Sequence, residues 1–186
     1  MTTIYIYGLD SVHDENMNAL AARYGYEVVR WEEKDLGHVV GHLTGRADYP
    51  ADTVPVPHIP ATTFFLFDEL PREALGDFIA DLREEVGYFP HKASTTKNNL
   101  TWRLVDLISH NVEEHAVMEK LTRVMRLLPL AESVRARFPY DAKLAQAIDA
   151  ASPYTKPREV EADEITACYE NLLAALAPYE KLFQKS

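Results

Sequence analysis

The sequence predicts an α/β fold in which strands and helices alternate to build a mainly parallel sheet with helices packed on it, followed by a C-terminal helical extension. Three observations predict it. Short β-branched and aromatic runs are each followed by apolar residues at helical spacing, this alternation occurs twice, and the last third of the chain carries helical spacing with no strand signal. The expected organisation is therefore two tandem βαβα units. Residues 1–128 form a duplicated domain with halves 1–43 and 61–128, a proline-rich connection spans 44–63, and the extension of 129–186 packs on that domain.

Ile4-Tyr5-Ile6-Tyr7 is a strand that stops at Gly8. Met17, Leu20, Ala21 and Tyr24 fall at i, i+3, i+4 and i+7, so they share one helix face, and Gly25 ends that helix. Val28-Val29-Arg30-Trp31 is the second strand. Leu36, Val39, Val40 and Leu43 repeat the helical spacing, although Gly37 and Gly41 lower the propensity of this short helix. Pattern then vanishes from Thr44 to Thr63, where Pro50, Pro55, Pro57 and Pro60 hold the chain extended. A connection of that length crosses the molecule, covers a site or links two halves.

The second half repeats the order. Phe64-Phe65-Leu66-Phe67 is a strand bounded by Asp68, and Leu75, Phe78, Ile79, Leu82 and Val86 make the apolar stripe of a helix that stops at Gly87. His91 to Thr95 is the fourth strand, and Trp102, Leu104, Val105 and Ile108 open a helix that runs on toward Leu128. Tyr24-Gly25-Tyr26 in one half matches Val86-Gly87-Tyr88 in the other, which reads as an internal duplication with a period near 60 residues. The alternation leaves strand order open, because inserting one half antiparallel to the other preserves every local pattern. In the last third Pro129, Pro139, Pro153 and Pro157 divide the chain into helices of about 112–128, 141–151 and 160–184, with Pro178 kinking or restarting the last. Ile165, Tyr169, Leu172, Leu176, Tyr179 and Phe183 form one seam and Val117, Leu121, Val124 and Leu128 another, and with only two or three heptads the two read as an intramolecular hairpin.

Composition narrows the function classes. A net charge of −10 opposes nonspecific binding to nucleic acid, which depends on cations displacing phosphate counterions, and it opposes anionic membrane surfaces. No apolar run approaches the roughly 20 residues of a membrane span, and no leader-like segment opens the chain, so the expected setting is cytoplasmic. Cys168 is the single cysteine, which suits a reducing compartment and a small core residue.

The most informative stretch for chemistry is Lys92-Ala93-Ser94-Thr95-Thr96-Lys97-Asn98-Asn99-Leu100-Thr101-Trp102, where a strand gives way to a helix. In an open parallel sheet ligands bind beyond the carboxyl ends of the strands, and unpaired amides at a helix start attract anions. Lys92, Thr95, Thr96, Lys97, Asn98, Asn99 and Trp102 are therefore the candidate ligand contacts, with Lys92 as the cationic one. The same residues also suit a helix cap, with Asn98 or Asn99 as the capping residue and the threonines satisfying turn amides. No Gly-rich cradle accompanies them. His38 and His42, like His110 and Glu114, stand four apart, but no third ligand is positioned, so they read as surface or capping histidines and no metal or cofactor is expected. No residue presents itself as a catalytic base or nucleophile.

Phe64 to Asp68, the Leu75 to Leu82 helix, Lys92-Ala93, Thr95, Asn98 or Asn99, Trp102 and Glu113-Glu114-His115 together resemble a short bacterial domain of unknown function, over about residues 61–118. Ser94-Thr95-Thr96-Lys97 and the crowded Asn-Asn-Leu-Thr before Trp102 depart from its pattern. The resemblance implies a fold neighbourhood and no reaction. Three expectations follow: a noncatalytic module that binds a small anion or a protein partner; a small enzyme holding a phosphorylated or carboxylated metabolite with the same loop; or a structural interaction protein built on the C-terminal helices. The chain is expected to be a monomer or weak homodimer.

Overall fold

The structure, a computed structural model, describes residues 2–182, and the chain divides into two compact units, Met1–Val112 and Glu113–Ser186. In the first unit four strands, β1 (Thr3–Tyr7), β2 (Glu27–Trp31), β3 (Phe64–Asp68) and β4 (His91–Ser94), form one sheet in the order β2-β1-β3-β4. β1 and β3 are buried along their whole length, which is why they read as unbroken apolar runs; β2 and β4 are edges and alternate with polar residues. β1 pairs in parallel with β2, and β3 in parallel with β4, while the central pair β1 and β3 is antiparallel. The sheet is thus mostly parallel, and the second half enters it upside down relative to the first.

Helix α1 (Asp14–Tyr24) connects β1 to β2, and α3 (Arg72–Asp81), continued by a π-helical turn over Leu82–Val86, connects β3 to β4. Both lie on one face, where Met17, Leu20 and Ala21 meet Phe78, Leu82 and the inward side chains Ile4, Ile6, Phe65 and Phe67. The opposite face carries Tyr5, Tyr7, Trp31, Phe64 and Leu66, packed under the short helix α2 (Val40–Leu43) and the start of α4 (Leu104–Arg137). Tyr5 stacks on Trp31 with ring centroids 4.8 Å apart. α2 is shorter than its apolar spacing suggests because Leu36 closes a 3-10 turn and His38 and Val39 form isolated bridges with Thr53 and Arg103 before the helix starts at Val40. Here the two glycines have a positive role: a Cβ on Gly37 would stand 2.2 Å from the Val54 carbonyl oxygen, and one on Gly41 would meet the ring of Tyr49.

The proline-rich connection crosses the α2/α4 face and is fastened at three places. Arg46 bonds Asp68 at the end of β3, Arg103 bonds Asp52 and the Gly37 carbonyl, and the Pro60 carbonyl accepts from the Tyr7 hydroxyl at the other rim. Val56 adds an apolar anchor on the same face.

In the second unit the remainder of α4, α5 (Ala142–Ala151) and α6 (Ala162–Leu176) share a core of Val124, Leu128, Val134, Leu144, Ile148, Ile165, Cys168 and Leu172. The two apolar seams therefore do pack within one chain. Pro129 does not end a helix: α4 runs through it from Leu104 to Arg137, with the proline ring on an exposed face and core residues on both sides. Burial of Leu128, Ala131 and Val134 outweighs the roughly 3 kcal/mol that an internal proline costs. At Pro178 the sequence reading holds, since α6 stops at Leu176 and a 3-10 segment, Ala177–Leu182, follows. Phe183 lies outside the described residues. Among the described residues no helix is long and apolar enough to cross a membrane.

Candidate functional site

Alternation along β4 decides where the candidate contacts go. Lys92 pairs with Phe65 and lies on the α1/α3 face, whereas Ala93 and Thr95 belong to the α2/α4 face. The stretch from Lys92 to Trp102 therefore splits into four separate environments.

Lys92 is half-buried, and burial holds its ammonium below the ordinary lysine pKa. Its Nζ donates to the Phe89 carbonyl and stands 5.7 Å from the centre of the Tyr88 ring, whose exposure is 64%. Among the described residues no carboxylate forms an ion pair with it. On this face a hollow of about 110 Å³ opens between β4 and α3, lined by Phe67, Leu75, Ile79, Lys92, Ala93 and Ser94.

On the other face, at the carboxyl ends of β3 and β4, Thr95 donates to Asp68 at 2.7 Å. Asp68 is 6% exposed and takes both guanidinium nitrogens of Arg46, at 2.7 and 3.0 Å. This pairing holds the Arg46 guanidinium even further above its usual range, and the Asp68 charge, after burial itself, helps push the Tyr5 hydroxyl up. Arg46 also donates to the Thr44 carbonyl, so its fork is committed to holding the connection onto β3. Arg46 and Asp68 were not among the sequence candidates. The only signal for them was the acidic residue closing the Phe64–Phe67 run, because their contact is separated by 22 positions.

Thr96 and Asn99 cap one another. The Asn99 side chain accepts from the Thr96 amide at 2.8 Å, and the Thr96 hydroxyl accepts from the Asn99 amide at 3.2 Å, while Asn99 also donates to the Ser94 carbonyl. Asn99 thus closes the turn at the start of the 3-10 segment Asn99–Thr101 and does not cap α4, while Thr96 satisfies a turn amide as expected of the threonines. Lys97 and Asn98 are exposed in the same turn. Trp102 turns away to meet His110 edge-on, with ring centroids 5.1 Å apart.

The helix starts at Leu104, within the Trp102 to Ile108 stretch expected to open it. α4 begins ten residues after Ser94, and its Leu104 and Val105 amides donate to the His38 and Leu36 carbonyls, each at 3.0 Å. Backbone from the first half thus occupies the position an anion would take at the end of the helix dipole. His38 and His42 lie with rings 5.6 Å apart, and among the described residues no three His, Cys, Asp or Glu side chains come together to hold a metal ion.

A family model, described as a domain of unknown function (DUF3783), matches residues 63–118. The matched segment runs from just before β3 into α4 and so contains the second βαβα unit, with Lys92, the Asp68–Thr95 contact and the Thr96–Asn99 cap. Its description carries no activity. No curated protein and no solved structure matches the chain.

Proposed function

We propose that the chain is a noncatalytic binding module, made by internal duplication of one βαβα unit, and that Lys92 is its contact to a small anionic ligand or an acidic partner. The duplication rests on reciprocity. With the centre of the antiparallel pair at Tyr5 and Leu66, Ile4 and Val28 correspond to Phe65 and Lys92. Beyond the outer strands the same correspondence continues with a constant offset of 64 positions: Val40 donates to the Trp102 carbonyl, and Leu104 donates to the His38 carbonyl. Glu32 and Asp35 form a reciprocal cap in the first half, as Thr96 and Asn99 do in the second. Gly8 and Glu69, just after the two central strands, both adopt positive φ, 68° and 55°.

One observation carries the binding reading. The polar groups at the strand ends are already spent on one another, whereas Lys92 is a half-buried cation whose partners are a carbonyl and an aromatic face. Desolvating an ammonium without a counter-charge is unfavourable, and an anion would repay it. The test is a thermal-shift series with phosphate, sulfate and short carboxylates on the wild-type chain and Lys92→Met. Ligand-dependent stabilisation of the wild type that the variant lacks supports the reading. Equal stabilisation of both, or of neither, refutes it.

A further inference from the structure

The two halves differ most informatively at one pair of positions. Arg30 pairs with Ile6 on β1, and Ser94 with Phe67 on β3, so the two occupy equivalent places on the α1/α3 face. In the first half that place is filled: the Arg30 guanidinium reaches back over the strand to Asp14 of α1 at 2.7 Å and to Asn18 at 3.5 Å. In the second half the serine side chain ends at one hydroxyl, and the space between strand and helix stays open as the hollow beside α3. A second exchange accompanies it. Val28, which packs into the first half's apolar core, is replaced across the axis by Lys92.

We infer that the hollow between β4 and α3 is a binding site for a small carboxylate with a short branched apolar stem, the stem lying against Phe67, Leu75 and Ile79 and the carboxylate meeting Lys92. This rests on Lys92 being the anion contact, as proposed above, and adds the ligand class. The walls supply the apolar half of the ligand, since three of the six lining side chains are Phe, Leu and Ile. The volume sets the size of the stem: about 110 Å³, against roughly 30 Å³ for each liquid water, accepts roughly four non-hydrogen atoms, an isobutyl group, with the carboxylate at the open rim beside Lys92. The charge sets its sign. An ammonium has three donors, and Lys92 spends one on the Phe89 carbonyl, which leaves donors for a carboxylate. Such a group is carried equally by a free branched-chain acid and by a peptide ending in valine.

The experiment is heteronuclear NMR and calorimetric titration of the full chain with isovalerate, acetate, phosphate and an N-acetylated tripeptide ending in valine. Two variants are titrated alongside: Lys92→Met, which removes the charge and keeps the stem, and Ser94→Ile, which fills the hollow with a strand-compatible side chain and leaves Lys92 in place. Isovalerate or the peptide should bind at least about ten-fold more tightly than acetate, because each buried methylene contributes about four-fold. Shifts should centre on Phe67, Leu75, Ile79 and Ser94, and both variants should lose at least about ten-fold in affinity. Saturation by the free acid identifies a metabolite-type ligand; tight binding of the peptide alone, with shifts along His91 to Ser94, identifies a chain terminus. If acetate and phosphate bind as well as isovalerate and Ser94→Ile binds normally while Lys92→Met does not, Lys92 is an anion contact and the hollow is not the site. If no anion binds the wild type, both readings fall.

Discussion

Replacing Arg46 by alanine tests whether the connection is clamped by a buried ion pair or only decorated by a surface one. The wild-type pair is bidentate, with Nη to Oδ distances of 2.7 and 3.0 Å, and Asp68 is 6% exposed. Truncation would leave a buried carboxylate that has lost its charged partner and keeps the Thr95 hydroxyl at 2.7 Å. Removing one member of a fully buried pair costs about 3–5 kcal/mol, whereas an exposed pair is worth about 0–1 kcal/mol. The Arg46 side chain is 29% exposed, so water can partly replace it, and the expected loss is about 2–3 kcal/mol. For a chain of this length that corresponds to a fall in Tm of about 4–12 °C. Urea unfolding followed by circular dichroism gives the loss directly, with Arg46→Ala, Asp68→Asn and the double variant closing a cycle. A coupling above about 1 kcal/mol supports the clamp. An Arg46→Ala chain within about 0.5 kcal/mol of the wild type would refute it, and with it the claim that Arg46 is one of the points that fasten the proline-rich segment.

Three further outcomes follow from the same geometry. Pro129→Ala should raise stability by about 2 kcal/mol, because it restores a helical hydrogen bond in α4 and relieves the ring clash, less the entropy that proline removes from the unfolded chain; chemical denaturation measures it. Gly37→Ala should lower stability by about 1–3 kcal/mol, since its Cβ would meet the Val54 carbonyl at 2.2 Å and push the connection away, and scanning calorimetry reads the shift. Lys92→Met should be at least as stable as the wild type at neutral pH. The folded chain holds this lysine below 10.5, so at intermediate pH the unfolded chain binds more protons and stability rises with pH. The unfavourable contribution is present below the folded pKa and is relieved as pH climbs toward the unfolded value. Thermal melts of both chains from neutral pH to about pH 11 should show the advantage of the variant shrinking.

Local pattern carried most of the architecture. The four strands, the helices after β1 and β3 and the glycines that end them were legible because each is written in consecutive side chains: unbroken apolar runs for the buried β1 and β3, one-sided stripes for α1 and α3. What local pattern does not encode is direction, and the antiparallel entry of β3 against β1 is decided by long-range pairing of Tyr5 with Leu66. Pro129 reads as a stop in the sequence because its cost is local, while the packing of Leu128 and Val134 that offsets it is not. The candidate stretch divided for a simpler reason. Seven residues chosen for their proximity in sequence were distributed by strand alternation over two faces, which left Lys92 apart from Thr95 and joined Thr95 to Asp68 and Arg46. The reciprocal bonds between the turns before α2 and α4 were invisible for the same reason, although the matching Tyr-Gly-Tyr and Val-Gly-Tyr segments pointed to a repeat.

The most direct measurement is the titration of the Lys92 ammonium itself, followed by the chemical shift of its Cε in selectively labelled protein, with and without a saturating short carboxylate. The ligand-free chain should titrate below 10.5, and a bound anion should move that midpoint upward by stabilising the charged form. A midpoint that the carboxylate leaves untouched, in a chain whose fold is intact, would contradict Lys92 as the ligand contact.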